Sequence, residues 1–119
     1  MGAYEKGLAG ENAARAYLER TGMRFLQARY RSQAGEIDLI MEKGGMIVFV
    51  EVKSRPLGRS GQGLEAVTPL KQKRLLKAAA AYLVKNGLWE RPIRFDVVEV
   101  TLDGVRHVEN AFEGQAWTV

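Results

Sequence analysis

The 119-residue chain contains no cysteine and only one histidine, His107. Without cysteine, neither a disulfide framework nor a thiolate metal site is possible. A single histidine likewise excludes a histidine-rich metal centre. The lack of cysteine fits a protein of a reducing compartment.

Long apolar runs are also missing, because no stretch approaches the ~20 residues that span a bilayer. The first residues, Met1 to Glu5, do not show the basic-then-apolar pattern of a signal peptide. We therefore expect a cytoplasmic protein without a membrane segment.

Size and composition indicate one soluble domain covering residues 1–119, with 46% hydrophobic and 27% charged residues. The formal net charge is +4 and the sequence pI is about 9.6. A basic balance attracts anions, of which nucleic acid is the commonest large one. A lysine-rich surface without a nucleic-acid partner is the alternative explanation.

The order of predicted elements is helix, three strands, helix, two strands. Hydrophobic periodicity, caps and turn residues predict helices over residues 3–21 and from Pro69 up to Gly87. They predict strands over residues 23–27, 36–42, 46–54, 93–101 and 105–111. A polar, glycine-rich loop is expected over residues 55–65. This order indicates an α/β or α+β fold with a central mixed sheet.

A hairpin turn at Gly44–Gly45 sets the predicted register of the second and third strands. Closing the hairpin there places Asp38 directly opposite Glu51 and Glu36 opposite Lys53. Because strand side chains alternate between faces, these four residues are expected to share one face of the sheet.

Two opposed carboxylates destabilise a sheet unless something compensates their charge. Val48, Val50 and Val52 indicate that the third strand is buried on its other face as well. A bound cation is the simplest compensation, since Mg²⁺ takes one or two carboxylates and keeps water molecules. Lys53 would then reach a metal-bound water or a phosphate oxygen. An ordinary solvent-exposed polar face is the alternative.

Glu11 of the first helix is a candidate third acidic group. At 100° per residue it falls in line with Tyr4, Leu8 and Leu18, which should face the sheet. It would then lie over the same metal. Alternatively, Glu11 pairs with Arg15 on the helix surface.

Several blocks of this sequence resemble a known family. Residues 7–11 (GLAGE), 35–40 (GEIDLI) and 49–55 (FVEVKSR), followed by 79–83 (AAAYL) and 94–98 (RFDVV), resemble the YraN-like family of small bacterial proteins. An Asp on one strand followed by Glu-x-Lys on the next is similar to the core of type II restriction enzymes and archaeal Holliday junction resolvases. The resemblance implies a restriction-endonuclease-like fold with a mixed five-stranded sheet.

The same resemblance implies a metal-dependent endonuclease site. Asp38 and Glu51 would hold Mg²⁺ or Mn²⁺, helped by the backbone carbonyl of Val52. Lys53 would orient or activate the water, and Glu11 matches a helical glutamate of the resolvases. The expected reaction is metal-assisted hydrolysis of a phosphodiester, possible at one or two metal ions.

Basic and polar residues around this site are candidates for contact with DNA. The set comprises Arg29, Arg31, Arg55, Arg59, Gln72, Lys73, Arg74 and Lys77. Lys73 and Lys77 share a helical face that can grip phosphates without reading bases. For each member, a solvated surface position is the alternative. Arg29 also departs from the family pattern, in which Asn is expected there.

Two further function classes compete with a DNA endonuclease. One is a nucleic-acid-binding module that keeps the nuclease fold without its own activity, and the other is a scaffold protein with a vestigial acidic cluster. Resolvase-like enzymes work as dimers, so a homodimer is expected, with Phe112 and Trp117 as a possible interface. His107 is expected to decorate the last strand, and Trp89 and Trp117 to pack in the core or in the tail rather than stack on bases.

Overall fold

The computed structural model describes residues 3–55 and 67–112, and the side chains of the first helix from residue 7 onward. The elements are α1 (Ala3–Arg20), β1 (Arg24–Arg31), β2 (Glu36–Lys43), β3 (Met46–Arg55), α2 (Pro69–Lys85), β4 (Ile93–Thr101) and β5 (Gly104–Phe112). Neither helix in this part of the chain is long and apolar enough to cross a membrane.

The five strands form one mixed sheet in the order β1-β2-β3-β4-β5. Strands β3 and β4 run parallel, and the other neighbours are antiparallel. The parallel pair exists because α2 lies between β3 and β4 in the sequence and carries the chain back to the starting end of the sheet. The predicted element order and mixed five-stranded sheet are confirmed.

Local signals explain most of the element boundaries. Gly44 and Gly45 have φ angles of 59° and 86°, as a two-residue hairpin turn requires. Helix α2 begins where the Thr68 hydroxyl accepts a hydrogen bond from the Lys71 amide at 3.2 Å, with Pro69 in its first turn.

The extent of β1 was predicted wrongly. It continues to Arg31 instead of ending at Gln27, because Tyr30 pairs with Ile37 and Arg31 with Glu36 in β2. Its alternation is disturbed by Arg29, which has a φ of 52°. Residues 56–66, most of the predicted glycine-rich loop, lie outside the described residues.

The helices cover opposite faces of the sheet and create two cores. The core beneath α2 contains Tyr30, Ile37, Ile40, Ile47, Phe49, Leu75, Leu76, Ala78, Ala79, Tyr82, Leu83 and Phe95. The core beneath α1 contains Ala14, Leu18, Met23, Leu39, Met41, Val48, Val50 and Val98. Phe112 stacks on Phe95 with ring centroids 4.8 Å apart and packs, partly buried, against the core beneath α2; its part in a dimer interface stays a prediction.

A close approach of α1 to β3 depends on Gly10. A Cβ atom built on Gly10 would lie 2.5 Å from the Ser54 Cβ, which real structures essentially never show. Ser54 directly follows Lys53, so this contact holds the end of β3 against the helix that carries Glu11.

We expect Gly10→Ala to lower the free energy of unfolding by roughly 1–3 kcal/mol, because the added methyl overpacks this contact. Gly7→Ala is the matched control in the same helix. A Cβ on Gly7 meets nothing within 4 Å, so the Gly7→Ala exchange causes no overpacking. Because alanine has a higher helix propensity than glycine, this exchange should stabilise the protein by about 0.5–1 kcal/mol. Urea unfolding of both variants checks the prediction, and equal effects would contradict it.

Candidate metal and nucleic-acid site

Strands β2 and β3 separate at the end of the sheet where the candidate carboxylates lie. The predicted register is confirmed from Lys43–Met46 to Leu39–Val50. Beyond that pair, the Val52 amide donates a hydrogen bond to Asp38 Oδ2 at 2.7 Å. Asp38 therefore bridges the two strands through its side chain, in place of the direct pairing with Glu51 that we predicted.

The alternation predicted for β2 fails at the same place. Ile37 and Ile40 both pack in the core beneath α2, although strict alternation places them on opposite faces. The break follows from the separation of the strands, because the Asp38 side chain turns to the Val52 backbone. Asp38 therefore does not follow the simple face pattern that groups it with Glu36 and Ile40.

Glu51 lies on the α2 side of β3 and is only 7% exposed. Its Oε1 atom lies 3.3 Å from Lys53 Nζ and 2.6 Å from Lys71 Nζ. Lys71 is a site residue that the sequence reasoning missed. The signal was present, since the Thr68 cap places Lys71 in the first turn of α2.

Unfavourable charge marks Asp38 clearly. Burial, together with the negative charges of Glu51 and Glu11, raises the pKa of Asp38 from 3.8 to about 7. The hydrogen bond from the Val52 amide and the charge of Lys71 lower this pKa, but they do not compensate. Burial and the neighbouring carboxylates therefore disfavour the ionised form of Asp38.

The two lysines beside Glu51 differ in their pKa shifts. Burial, with the nearby Lys71, lowers the pKa of Lys53, and its Glu51 contact only partly opposes this. Burial also works against charge on Lys71, yet its contacts with Glu51 and Lys53 raise the pKa overall. The pKa shifts therefore favour the protonated form of Lys71 over that of Lys53.

Glu99 is a further acidic residue that was not predicted. It lies opposite Lys53 in the backbone register of β3 and β4 and is fully buried.

Glu11 approaches the site from α1, and its charge contributes to the raised pKa of Asp38. Its Oε1 accepts a hydrogen bond from Arg29 Nε at 2.9 Å. The alternative pairing of Glu11 with Arg15 is not what the structure shows, because Arg15 pairs with Glu19 at 3.4 Å. Arg29 thus neutralises Glu11, and its contact with DNA stays a prediction.

The oxygen donors fit a hard cation such as Mg²⁺, which prefers carboxylates and water. Within residues 3–55 and 67–112, however, no three His, Asp or Glu side chains come close enough to hold a metal together. Asp38 and Glu51 would therefore supply two carboxylates, with water molecules completing the coordination. The Val52 carbonyl and Glu11 stay predicted ligands.

The candidate DNA-contact residues fall into distinct environments. Lys73, Arg74 and Lys77 are exposed on α2, and Arg55 is exposed at the end of β3. Arg59 lies outside the described residues.

Two other candidates are engaged within the protein. The Gln72 side-chain Nε2 donates to the Val67 carbonyl at 3.0 Å, and Arg31 Nε donates to Glu36 Oε2 at 2.7 Å. Gln72 thus secures the start of α2 rather than reaching towards the carboxylates.

Two aromatic residues outside this site, His107 of β5 and Trp89, differ in their surroundings. The His107 side chain is 5% exposed, and its Nε2 lies 2.7 Å from Asp96 Oδ2. His107 lies on the last strand, as predicted, but its side chain is turned inward to Asp96. Trp89 is 65% exposed and does not pack in the core. Trp117 lies outside the described residues.

The raised pKa of Asp38 makes stability depend on pH. Between its ordinary value of 3.8 and about 7, the folded protein binds more protons at Asp38 than the unfolded chain does. We therefore expect the Asp38 contribution to the free energy of unfolding of metal-free protein to fall as the pH rises from 4 to above 7. Asp38→Asn should remove this slope and stabilise the protein at pH 8 by roughly 1 kcal/mol or more.

Urea unfolding in the presence of a chelator, repeated over this pH range, tests the prediction. The exposed Glu90→Gln exchange removes a charge elsewhere and serves as the control. Parallel pH profiles for the wild type and Asp38→Asn would contradict the assigned cause.

Comparisons with known proteins agree with the resemblance to YraN-like proteins. Residues 10–100 match the model of the "Uncharacterised protein family UPF0102". A UPF0102 protein of Klebsiella pneumoniae is 47% identical over 110 residues, covering 91% of this chain and 86% of the relative. Another, from Symbiobacterium thermophilum, is 48% identical over 111 residues, covering 89% and 94%.

Among solved structures, this chain is similar to Pyrococcus furiosus SfsA in complex with Ca²⁺. The identity is 21% and the TM-score 0.38, over 89% of this chain and 63% of the SfsA chain. The family match covers most of the chain, and both relatives exceed 45% identity over about nine-tenths of it. This protein therefore belongs to the uncharacterised protein family UPF0102.

Proposed function

We propose that this protein is an endonuclease that hydrolyses phosphodiesters of DNA with Mg²⁺ or Mn²⁺. One observation carries the proposal: Asp38 and the nearly buried Glu51 meet where β2 and β3 separate, with Lys53 beside them. A purely structural sheet gains nothing from two carboxylates at this position. The raised pKa of Asp38 supports a site that is completed by a cation.

Each residue has a role that follows from its surroundings. Asp38 is oriented by the Val52 amide, and Glu51 lies on the adjoining strand, so both carboxylates are positioned by backbone. Lys53 Nζ, 14% exposed as a side chain, can stabilise negative charge that gathers on the phosphate. A bound divalent cation would polarise the phosphoryl oxygen and make water more acidic.

A nucleic-acid-binding module without its own activity is the second candidate function. It is favoured by the arrangement of metal-ligating side chains, because in the described residues no three of them converge. The exposed basic face of Lys73 and Lys77 on α2 serves either function. A cytoplasmic location, DNA as the substrate, a branched substrate shape and a homodimer belong to the leading proposal.

Titration calorimetry of chelator-treated protein with Mn²⁺ is the direct test of the metal site. We expect the wild type to bind Mn²⁺ and Glu51→Gln to weaken this binding at least tenfold, since a neutral amide is a poorer ligand. Glu90→Gln is the control for a lost surface charge. The enzyme is supported if the wild type binds Mn²⁺ and cleaves branched DNA while Lys53→Met does not cleave it. Binding of DNA without cleavage by the wild type favours the binding module.

A second prediction concerns the basic face of α2. We expect Lys73→Ala combined with Lys77→Ala to reduce the slope of log K against log salt for DNA binding by about 1–2, because each lost phosphate contact removes ~0.9 on B-DNA. The control is Arg20→Ala combined with Lys85→Ala, which removes two exposed charges from the last turns of α1 and α2, away from this face. An unchanged slope in the first pair, or an equal reduction in both pairs, would contradict DNA binding at this face.

A further inference from the structure

Lys71 contacts the Glu51 carboxylate oxygen that a bound metal would use as a ligand. Its Nζ lies 2.6 Å from Glu51 Oε1, and Lys53 Nζ lies 3.3 Å from the same atom. Mg²⁺ binds carboxylate oxygens at about 2.0–2.1 Å and demands octahedral geometry. An ammonium group and a metal ion cannot both sit on one side of that oxygen, so Lys71 and the cation compete for Glu51.

Lys71 also lines a cavity of about 440 Å³, so this one side chain connects the cavity to the Glu51 carboxylate that it contacts. The cavity is lined by Gly35, Glu36, Thr68, Leu70, Lys71, Arg74 and Leu75. Its one acidic side chain, Glu36, is held by Arg31 Nε at 2.7 Å. Arg74, by contrast, has no ion pair among residues 3–55 and 67–112.

Freedom to move distinguishes Lys71 from Lys53. The Lys71 side chain is 37% exposed, whereas that of Lys53 is 14% exposed. Lys71 extends from the first turn of α2, and Lys53 lies within β3. A long lysine side chain at a half-exposed helix start can change its rotamer without disturbing the core.

We propose that Lys71 exchanges with the metal. In the metal-free protein its ammonium group neutralises Glu51; when a divalent cation binds, Lys71 moves into the adjoining cavity, where with Arg74 it binds a backbone phosphate of the nucleic acid. This inference rests on the proposed function, because it assumes that Asp38 and Glu51 hold a cation. It adds a phosphate subsite and a reason for metal and nucleic acid to strengthen each other's binding.

The charges explain the coupling. Bringing a divalent cation to Glu51 while Lys71 and Lys53 remain in place would crowd four positive charges around two carboxylates. A phosphate in the cavity gives the displaced ammonium a new partner. By linkage, a nucleic acid that draws Lys71 away must raise metal affinity by the same factor as metal raises nucleic-acid affinity.

Calorimetry with Mn²⁺ on chelator-treated Lys71→Met, Lys71→Arg and Lys85→Met proteins tests the exchange. Removing the competing ammonium should tighten Mn²⁺ binding about tenfold in Lys71→Met, an estimate for one half-exposed charge pair. Lys71→Arg keeps the cation and should stay near the wild type. Lys85→Met carries the same loss of charge in the last turn of α2 and should bind as the wild type does.

The titrations are then repeated with a short DNA duplex that carries phosphorothioate linkages. This DNA should tighten Mn²⁺ binding to the wild type and leave that of Lys71→Met nearly unchanged, because that variant has no ammonium group to draw away. Equal Mn²⁺ affinities of wild type and Lys71→Met would overturn the exchange while leaving the metal site standing. No Mn²⁺ binding by either protein, with or without DNA, would overturn the metal site and the exchange together.

Discussion

The arrangement of the candidate site depends on how the charge of the buried Glu51 carboxylate is neutralised. Strand β3 is buried on both faces, and Glu51 is almost as buried as its apolar neighbours. A carboxylate in that position needs a cation or several hydrogen-bond donors. Two lysines supply the charge, one from β3 itself and one from α2, so this carboxylate ties the start of α2 to the end of the sheet.

The separation of β2 from β3 follows from the same constraint. Continued pairing would set Asp38 directly against Glu51, with little room for a counter-ion between them. The strands instead part after Leu39–Val50, and Asp38 uses its carboxylate to satisfy the Val52 amide. The Val52 amide, which is partly buried, thereby keeps a hydrogen-bond acceptor, and the two carboxylates stay near each other.

Sequence patterns predicted the architecture well because local signals specify it. Glycine tolerates the positive φ angles of a two-residue hairpin turn, which Gly44 and Gly45 both adopt, so placing the turn there gave the correct β2–β3 register up to Leu39–Val50. What failed depends on contacts between distant segments. The longer β1 is stabilised by its pairing with β2, and the break in alternation at Asp38 arises where that strand leaves β3. Neither leaves a periodic trace in the sequence.

The candidate site was predictable in its acidic part and less so in its basic part. Asp38 and Glu51 stand out because they interrupt apolar strands, where a carboxylate is unfavourable unless a charge or hydrogen bonds compensate it. Lysines on a helix surface are common, so the Thr68 cap alone does not single out Lys71, whose role follows from the contact of its Nζ with Glu51 on β3. The role of Arg29 was similarly ambiguous, since its partner Glu11 lies 18 residues earlier in the sequence, on α1.

Asp96 shows what a carboxylate with a structural role looks like in this fold. It is fully buried on β4 and receives two hydrogen bonds from Arg94, one from the Asn110 amide, and a contact from His107 Nε2. Both oxygens of that carboxylate thus accept hydrogen bonds from protein groups. Asp38 has only the Val52 amide as a hydrogen-bond donor among the described residues, and its pKa is raised to about 7. The chain can saturate a buried carboxylate where stability requires it, so the deficit at Asp38 argues for a ligand that arrives from outside.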